Sequence, residues 1–255
     1  MRKPYAAVLT VAPLVVLAAV APGARADTTA GDARITSVAV SKPTTAVGAT
    51  LGTSVGVTVT ATDDSGIDSV IGPKVVGPDG LVIRPTRNEC TVQSATTVRC
   101  VYSFPLSPDG TDAQDLRNSA AGLWHFRAKA VAHDGDFHHL SPGAPFSVKR
   151  HTRMESAQAA PEPVDRGGKL TVTGSLRRAD WDTSVYDGYA GKSVILQFRK
   201  SRTDTFKNVK TVTTDSAGKL RTTVTANATG TWRWRFTNNT VATGVTSQGD
   251  RVEVR

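Results

Sequence analysis

At 255 residues the chain has room for one or two domains. Aromatic residues make up only 6% of it, and threonine and valine dominate its periodic segments, which favours strands. No amphipathic helical window follows the N-terminal segment, so a helical fold is excluded. The net charge of +9 is uneven: residues 32–149 hold 10 basic and 11 acidic side chains, whereas residues 150–255 hold 18 and 10. This asymmetry suggests an anionic partner for the second half, with solubility alone as the alternative.

Residues 1–26 have the pattern of a secretory signal peptide. Arg2 and Lys3 are followed by a small, apolar run from Ala6 to Ala21 and by the cleavage motif Ala24-Arg25-Ala26. The run is too short and too rich in alanine for a stable membrane span. We therefore expect a mature chain that begins at Asp27 and is secreted into the extracellular space, with no membrane span.

Residues 32–149 predict a first β-sandwich. Apolar residues alternate with threonine in Val55–Thr62, which is typical of a half-buried strand, and turn residues separate the strands. Asp27–Gly31 is interpreted as a polar tail and Pro105–Ser119 as a long surface loop. The predicted strands are Ile35–Val40, Val55–Thr62, Ile67–Val76, Leu81–Ile83, Val98–Phe104, Trp124–Val131 and Phe146–Val148.

The chain has two cysteines, Cys90 and Cys100, separated by a predicted hairpin loop at Gln93–Thr96. Export into an oxidising compartment makes a disulfide the default pairing. The alternative is a reactive thiol pair or half of a metal site.

The second half repeats the pattern of the first. Ala-x-Gly-x-Trp-x-aromatic-Arg occurs at residues 120–127 and again at 228–235, an offset close to the size of an immunoglobulin-like domain. In both copies the alternation predicts that Trp124, Trp232 and Trp234 face a core. Residues 150–168 are interpreted as the junction and first strand of a second domain at 169–255, in which Val209–Thr213 and Leu220–Val224 form a hairpin. The fold class is therefore all-β, with two tandem immunoglobulin-like sandwiches.

Several motifs resemble those of secreted two-domain β-sandwich proteins of actinobacteria. In the second half they are Pro161–Val164, Leu170–Trp181 and Gly188–Gly191. In the first half they are Ala61–Ile67 and Asp134–Phe137. The likeness covers nearly all of the expected mature chain. It implies an all-β fold, and because some members carry a calcium-binding label, it also implies Ca²⁺ as a cofactor to test.

Two acidic loops carry the metal hypothesis. Loops after the second strand and after the tryptophan strand of such a sandwich lie at the same pole. Their carboxylates could supply the oxygen ligands that Ca²⁺ prefers, with simple Asx-turns as the alternative. The candidate ligands are Asp63, Asp64, Asp68, Asp134 and Asp136. A transition-metal site that includes His133, His138 or His139 is a second alternative.

Trp181, Tyr186 and Tyr189 lie in a polar loop outside the periodic strands. Such rings could stack on sugars at a glycan-binding surface, or they could cap the open end of the second sandwich.

No motif of an enzyme is placed in its required context: Gly52-Thr53-Ser54-Val55-Gly56 runs directly into a strand, whereas a nucleophile elbow needs a following helix. We therefore expect a non-catalytic binding or structural module, not an enzyme. One alternative is calcium-dependent recognition of a glycan or anionic cell-wall polymer through the basic second domain, and another is an inhibitor or accessory factor of an extracellular hydrolase. Nucleic acid is not an expected partner.

Overall fold

The computed structural model describes residues 27–110 and 113–255, so the predicted signal peptide lies outside the described residues. Nearly all of the regular structure in these ranges is strand. The elements of the first sandwich are β1 (Thr28–Ala30), β2 (Arg34–Val40), β3 (Thr44–Val47), β4 (Thr53–Thr62), β5 (Ile67–Val76), β6 (Val82–Ile83), β7 (Arg87–Ser94), β8 (Thr97–Leu106), a 3₁₀-helix (Asn118–Ala120), β9 (Gly122–Ala132), β10 (Phe137–Leu140) and β11 (Pro145–Arg150).

Two sheets form the first sandwich. One sheet has the order β2-β4-β8-β7. In the other, β9 pairs with β5 on one edge and with β10 and β11 on the opposite edge, and β11 pairs in parallel with β3. In immunoglobulin nomenclature, β2, β4, β8 and β7 correspond to strands A, B, E and D, and β5, β9 and β11 correspond to strands C, F and G. An immunoglobulin constant domain divides its strands between two sheets in the same way. The predicted immunoglobulin-like fold is confirmed.

The core of the first sandwich comes from strict alternation. Val55, Val57, Val59 and Ala61 of β4 are completely buried, and the residues between them are not. Trp124 of β9 is also completely buried, as predicted. Its indole N–H donates to the carbonyl of Ala120 at 2.7 Å, so burial leaves no unsatisfied polar group.

The cysteine hairpin is confirmed. Cys90 and Cys100 are paired residues of β7 and β8 and are joined by a disulfide. Every residue of β7 is exposed, so this edge strand has no buried side chain to anchor it. The disulfide supplies that anchor.

The predicted polar tail Asp27–Gly31 is wrong in part, because Thr28–Ala30 forms β1. This strand pairs with β10, with Thr28 opposite His139 and Ala30 opposite Phe137. All three of its residues are exposed. Backbone pairing alone therefore holds the strand, and no apolar periodicity indicates it in the sequence.

The second sandwich begins within one residue of the first. Residues 150–168, interpreted as junction and first strand, include the last residue of β11 and two short strands that pair with β14. His151 is the one residue between β11 and β12. The strands are β12 (Thr152–Met154), β13 (Gln158–Ala160), β14 (Gly168–Asp180), β15 (Val185–Gly188), β16 (Ser193–Lys200), β17 (Lys207–Thr213), β18 (Lys219–Ala226), β19 (Gly230–Phe236), β20 (Val245–Thr246) and β21 (Asp250–Val252).

The hairpin predicted from Val209–Thr213 and Leu220–Val224 is wrong. β17 pairs with β16 in one sheet, whereas β18 pairs with β14 in the other. The turn between them has the chemistry of a hairpin, since Asp215 accepts the backbone N–H of Ala217 and of Lys219. Turn chemistry is local, however, and here the two strands leave the turn toward different sheets.

In the second core, Trp234 is completely buried and Trp232 is 4% exposed, which confirms the inward face predicted for β19. The tip of the β14–β15 hairpin leaves this sandwich and packs into the first. Ala179 and Trp181 belong to the buried apolar cluster of the first sandwich. Within the described ranges, no helix has the length and apolar character needed to cross a membrane.

Candidate functional sites

Five aspartates meet at one end of the first sandwich, which we call the acidic pole: Asp32, Asp63, Asp64, Asp134 and Asp136. The ligand oxygens of Asp63, Asp134 and Asp136 lie within 4.8 Å of one another, as do those of Asp32, Asp63 and Asp64. Asp63 belongs to both groups and is therefore the centre of the pole.

Three chain segments build the pole. β4 ends at Thr62 and β9 ends at Ala132, and the turns that follow these strands carry two aspartates each. The turns are joined directly, because the backbone N–H of His133 donates to the carbonyl of Gly66 at 3.1 Å. The third segment links β1 to β2 and contributes Asp32. The common pole predicted for the two loops is therefore observed.

Asp63 is buried, with 4% of its surface exposed. Its Oδ1 atom accepts the backbone N–H of Ser65 at 2.9 Å and the hydroxyl of Ser65 at 2.6 Å. Its Oδ2 atom is buried without a hydrogen-bond partner. These bonds to Ser65 are the main cause that holds the pKa of Asp63 below its usual value. The carboxylate is thus ionised and half satisfied.

Backbone donors hold two of the other carboxylates, those of Asp134 and Asp136. Asp136 accepts the backbone N–H of Asp32 at 2.9 Å, and Asp134 accepts that of Asp136 at 3.1 Å. Gly31, at φ +69°, passes so close to Asp136 that a Cβ atom there would collide with its carboxylate. The positive φ and this close approach both favour glycine at this position.

Asp32 has the opposite pKa shift from Asp63. Partial desolvation raises the pKa of Asp32, and the negative charges of Asp64 and Asp63 raise it further. A backbone hydrogen bond lowers the pKa of Asp32 by less than these effects raise it, so negative charge is concentrated at the pole. Chemically, such an all-oxygen cluster suits a hard cation.

The structure brings together four of the five predicted ligands. Asp68 lies apart: it is exposed in β5, with its carboxylate 3.9 Å from His133 Nδ1. Asp32 was missed by sequence reasoning, because it follows a segment interpreted as a tail. Its only signal was one more aspartate next to a glycine.

The histidine alternative does not describe this pole. Both clusters of three ligand groups among the described residues consist of aspartates. His138 is 7% exposed and its Nδ1 accepts the backbone N–H of Ile35 at 2.8 Å, while Nε2 lies 3.6 Å from Asp27. His138 therefore fastens the start of the described chain to β2 and β10.

The exposed glycan-stacking surface predicted from Trp181, Tyr186 and Tyr189 is corrected. Trp181 is 2% exposed inside the first sandwich, and Tyr189 is 5% exposed in the core of the second. Arg153 lies 3.7 Å from the centroid of the half-buried Tyr186 ring. Their polar surroundings misled the prediction, since Trp181 belongs to the buried cluster of the other sandwich and Tyr186 packs against that cluster. Tyr189 alone caps the second core.

No family model matches this chain, and no curated protein matches its sequence. A DUF4785 family protein from Legionella pneumophila resembles it with a TM-score of 0.38 and 13% identity, over 84% of this chain and 56% of its own. A fragment of intimin has a TM-score of 0.27 and 10% identity, over 84% of this chain and 98% of its own. A stretch of titin domains has a TM-score of 0.27 and 10% identity, over 85% of this chain and 64% of its own. This chain spans about half the length of the Legionella protein. Likeness at this level carries no argument about function.

Proposed function

We propose that this chain is an exported, non-catalytic module whose first sandwich binds Ca²⁺ at the acidic pole. One observation carries the proposal: the buried Oδ2 atom of Asp63 has no hydrogen-bond partner, and Asp63 is the residue that belongs to both aspartate groups of the pole. A buried polar atom without a partner is costly, and ionised groups cost the most. A cation at this point would satisfy that oxygen.

The donor set favours calcium among the common cations. Ca²⁺ takes six to eight oxygen ligands in a flexible geometry, whereas Mg²⁺ demands a near-ideal octahedron. The pole offers carboxylates from two turns and a linker, which is an irregular arrangement. Transition metals favour imidazole and thiolate ligands, and both ligand clusters at the pole are built from aspartates.

Binding would tie together three segments that are distant in the sequence. Asp32 lies two residues after the end of β1, a strand that only backbone pairing holds in place. A cation shared with Asp63 and Asp136 would fasten that strand to the turns after β4 and β9. The role of the ion in this proposal is therefore to stabilise one end of the first sandwich, as a structural ligand of an extracellular module.

Calorimetric titration of chelator-treated protein, residues 27–255, with Ca²⁺ tests the proposal. We expect measurable heat and a rise in melting temperature. At a hundred times Kd, mass action adds about 2.7 kcal/mol to the free energy of unfolding. Mg²⁺ at the same concentration should give a smaller rise.

The matched variants are Asp63→Asn and Asp68→Asn. Both remove one carboxylate near the same turn, but Asp68 lies outside the two ligand groups. We expect Asp63→Asn to abolish binding and Asp68→Asn to retain it. Asp134→Asn repeats the test if the loss of the Ser65 bonds unfolds the first variant. No heat at millimolar Ca²⁺ with an unchanged melting temperature would overturn the proposal.

A further inference from the structure

Four arginines lie on the outer face of one sheet of the second sandwich, and we call this surface the arginine face: Arg199, Arg233, Arg235 and Arg251. Trp232, Trp234 and Phe236 of β19 point into the core, so Arg233 and Arg235 point away from it. Arg199 of β16 and Arg251 of β21 are both paired with Thr231 and share its outward side. The four charges therefore cover three adjacent strands.

None of these four arginines forms an ion pair among the described residues, although Glu162 lies within electrostatic reach of Arg251. The ion pairs found there involve other basic residues. Partial burial holds the pKa of Arg233 below its usual value, and the positive charges of Arg235 and Arg199 lower it further. Like charges on neighbouring strands repel and destabilise a sheet. The face thus carries a local cost that an anionic ligand would relieve.

Arg233 is held in one orientation. Its Nε donates to Gln197 Oε1 at 2.9 Å, and the amide of Gln197, 4% exposed, donates to Asn208 Oδ1 at 2.8 Å. The ring of Phe206 lies 3.5 Å from the Arg233 guanidinium carbon and 4.9 Å from that of Arg199. Gln197 occupies Nε and the Phe206 ring covers one face of the guanidinium group. The two terminal nitrogens of Arg233 are therefore left to bind a ligand.

We propose that the arginine face binds a linear polysaccharide that carries carboxylate groups. A guanidinium fork matches the two oxygens of a planar carboxylate, and its orientation is fixed here before binding, which lowers the entropic cost. The register places Thr231 and Thr246 beside the arginines, where their hydroxyls can bond sugar hydroxyls. Single-stranded nucleic acid would need open aromatic faces for its bases, and Arg233 already lies over Phe206. This inference is independent of calcium at the acidic pole.

Binding of the folded chain, residues 27–255, to immobilised polygalacturonate in a chelator tests the proposal. The variant Arg233→Gln/Arg235→Gln should weaken binding by about tenfold or more, because each replacement removes a charge-assisted hydrogen bond to the polysaccharide. The matched control Lys219→Gln/Arg221→Gln removes two charges from β18, in the opposite sheet of the same sandwich. It should change binding by less than about twofold, because exposed charges beyond the Debye length are screened.

Further measurements distinguish recognition by the bidentate guanidinium geometry from recognition by positive charge alone. Arg233→Lys keeps the charge but loses the bidentate geometry, and we expect it to lose binding by several-fold. Neutral dextran should not bind. Equal weakening by both double variants would reduce the effect to net charge and overturn the proposal. Preference for polyphosphate over polygalacturonate would overturn the carboxylate assignment, as would tighter binding of oligothymidylate. Melting temperatures of all variants check that they are folded.

Discussion

The indole N–H of Trp181 in the second sandwich donates to the carbonyl of Gly48 in the first, at 2.9 Å. The same ring is 2% exposed among the core residues of the first sandwich. Beside it, Asn118 accepts the backbone N–H of Trp181 at 2.9 Å and donates to Asp180 at 2.9 Å. A side chain from one sandwich thus completes the core of the other, so the two form a coupled pair rather than independent units on a linker.

We predict that Trp181→Ala uncouples the two sandwiches. Truncating a buried tryptophan leaves a cavity and typically costs about 3–5 kcal/mol. Differential scanning calorimetry should show two separate transitions in the variant, and small-angle X-ray scattering a larger radius of gyration. Val185→Ala, in the same hairpin and at a side chain that is 48% exposed, is the control and should change little. A single, unshifted transition in Trp181→Ala would contradict this coupling.

We predict that the contact between the sandwiches at the junction residue His151 is weakened by acid. Its backbone N–H donates to the carbonyl of Val47 at 2.8 Å, and its Nδ1 lies 3.0 Å from the hydroxyl of Tyr186. Burial lowers the pKa of His151 below its usual 6.5, and the charge of Arg153 lowers it further. The folded state therefore resists protonation more than the unfolded state does. Stability is full above pH 6.5 and falls as the pH drops below 6.5 toward the lower folded pKa.

The measurement is the melting temperature from pH 7.5 to 5 for the parent chain and for His151→Gln. The parent should lose more stability over that interval than the variant, because the variant has no proton to take up at this position. His139→Gln, in β10 of the first sandwich, controls for the removal of a histidine. Parallel pH profiles for the parent and His151→Gln would contradict the prediction.

The strands that sequence reasoning predicted well are those whose two faces meet different surroundings. In β4, β9 and β19 apolar residues alternate with polar or small ones, because one face packs in the core. β1 escaped prediction because all of its side chains are exposed and only backbone bonds hold it. The pattern of side chains carries no record of such pairing.

The site was partly predictable for a related reason. Topology places the turns after β4 and β9 at one pole, so Asp63, Asp134 and Asp136 could be grouped from the sequence. Asp32 reaches the pole only through the pairing of β1 with β10, which depends on the folded edge of the sheet. Trp181 was misassigned because its core lies in the other sandwich. Contacts between domains leave no local pattern.

We predict that the Cys90–Cys100 disulfide mainly stabilises the edge strand β7. The strand has no buried residue, and it pairs with β8 alone. Replacing both cysteines with alanine should cost about 3 kcal/mol in the chain-entropy estimate for a short loop. Hydrogen exchange should show faster amide exchange in β7 than in β4. The cysteine-free variant should be insensitive to reductant. Two alkylatable thiols in the unreduced protein would contradict the disulfide.

The last prediction is that Asp32→Asn raises the melting temperature without calcium and lowers it, relative to the parent, when calcium is bound. Proximity to Asp64 and Asp63, together with partial desolvation, raises the pKa of Asp32 above its usual 3.8. The stability linked to its protonated form is therefore present below pH 3.8 and lost as the pH rises through the folded pKa, so the charge is unfavourable at pH 7. An uncharged asparagine removes that cost. In chelator at pH 7, we expect Asp32→Asn to melt at a higher temperature than the parent.

In saturating Ca²⁺ the order should reverse, because the parent gains a ligand that the variant lacks. Thermal denaturation of both proteins, with chelator and with millimolar Ca²⁺, measures this reversal in the order of their melting temperatures. Asp68→Asn removes a carboxylate outside both ligand groups, so it should show the same calcium-induced rise as the parent. If Asp32→Asn destabilises the chain in chelator, the repulsion at the pole is not the dominant effect of that carboxylate. If the variant keeps the full calcium-induced rise, Asp32 is not a ligand, and the N-terminal strand is not fastened through the ion.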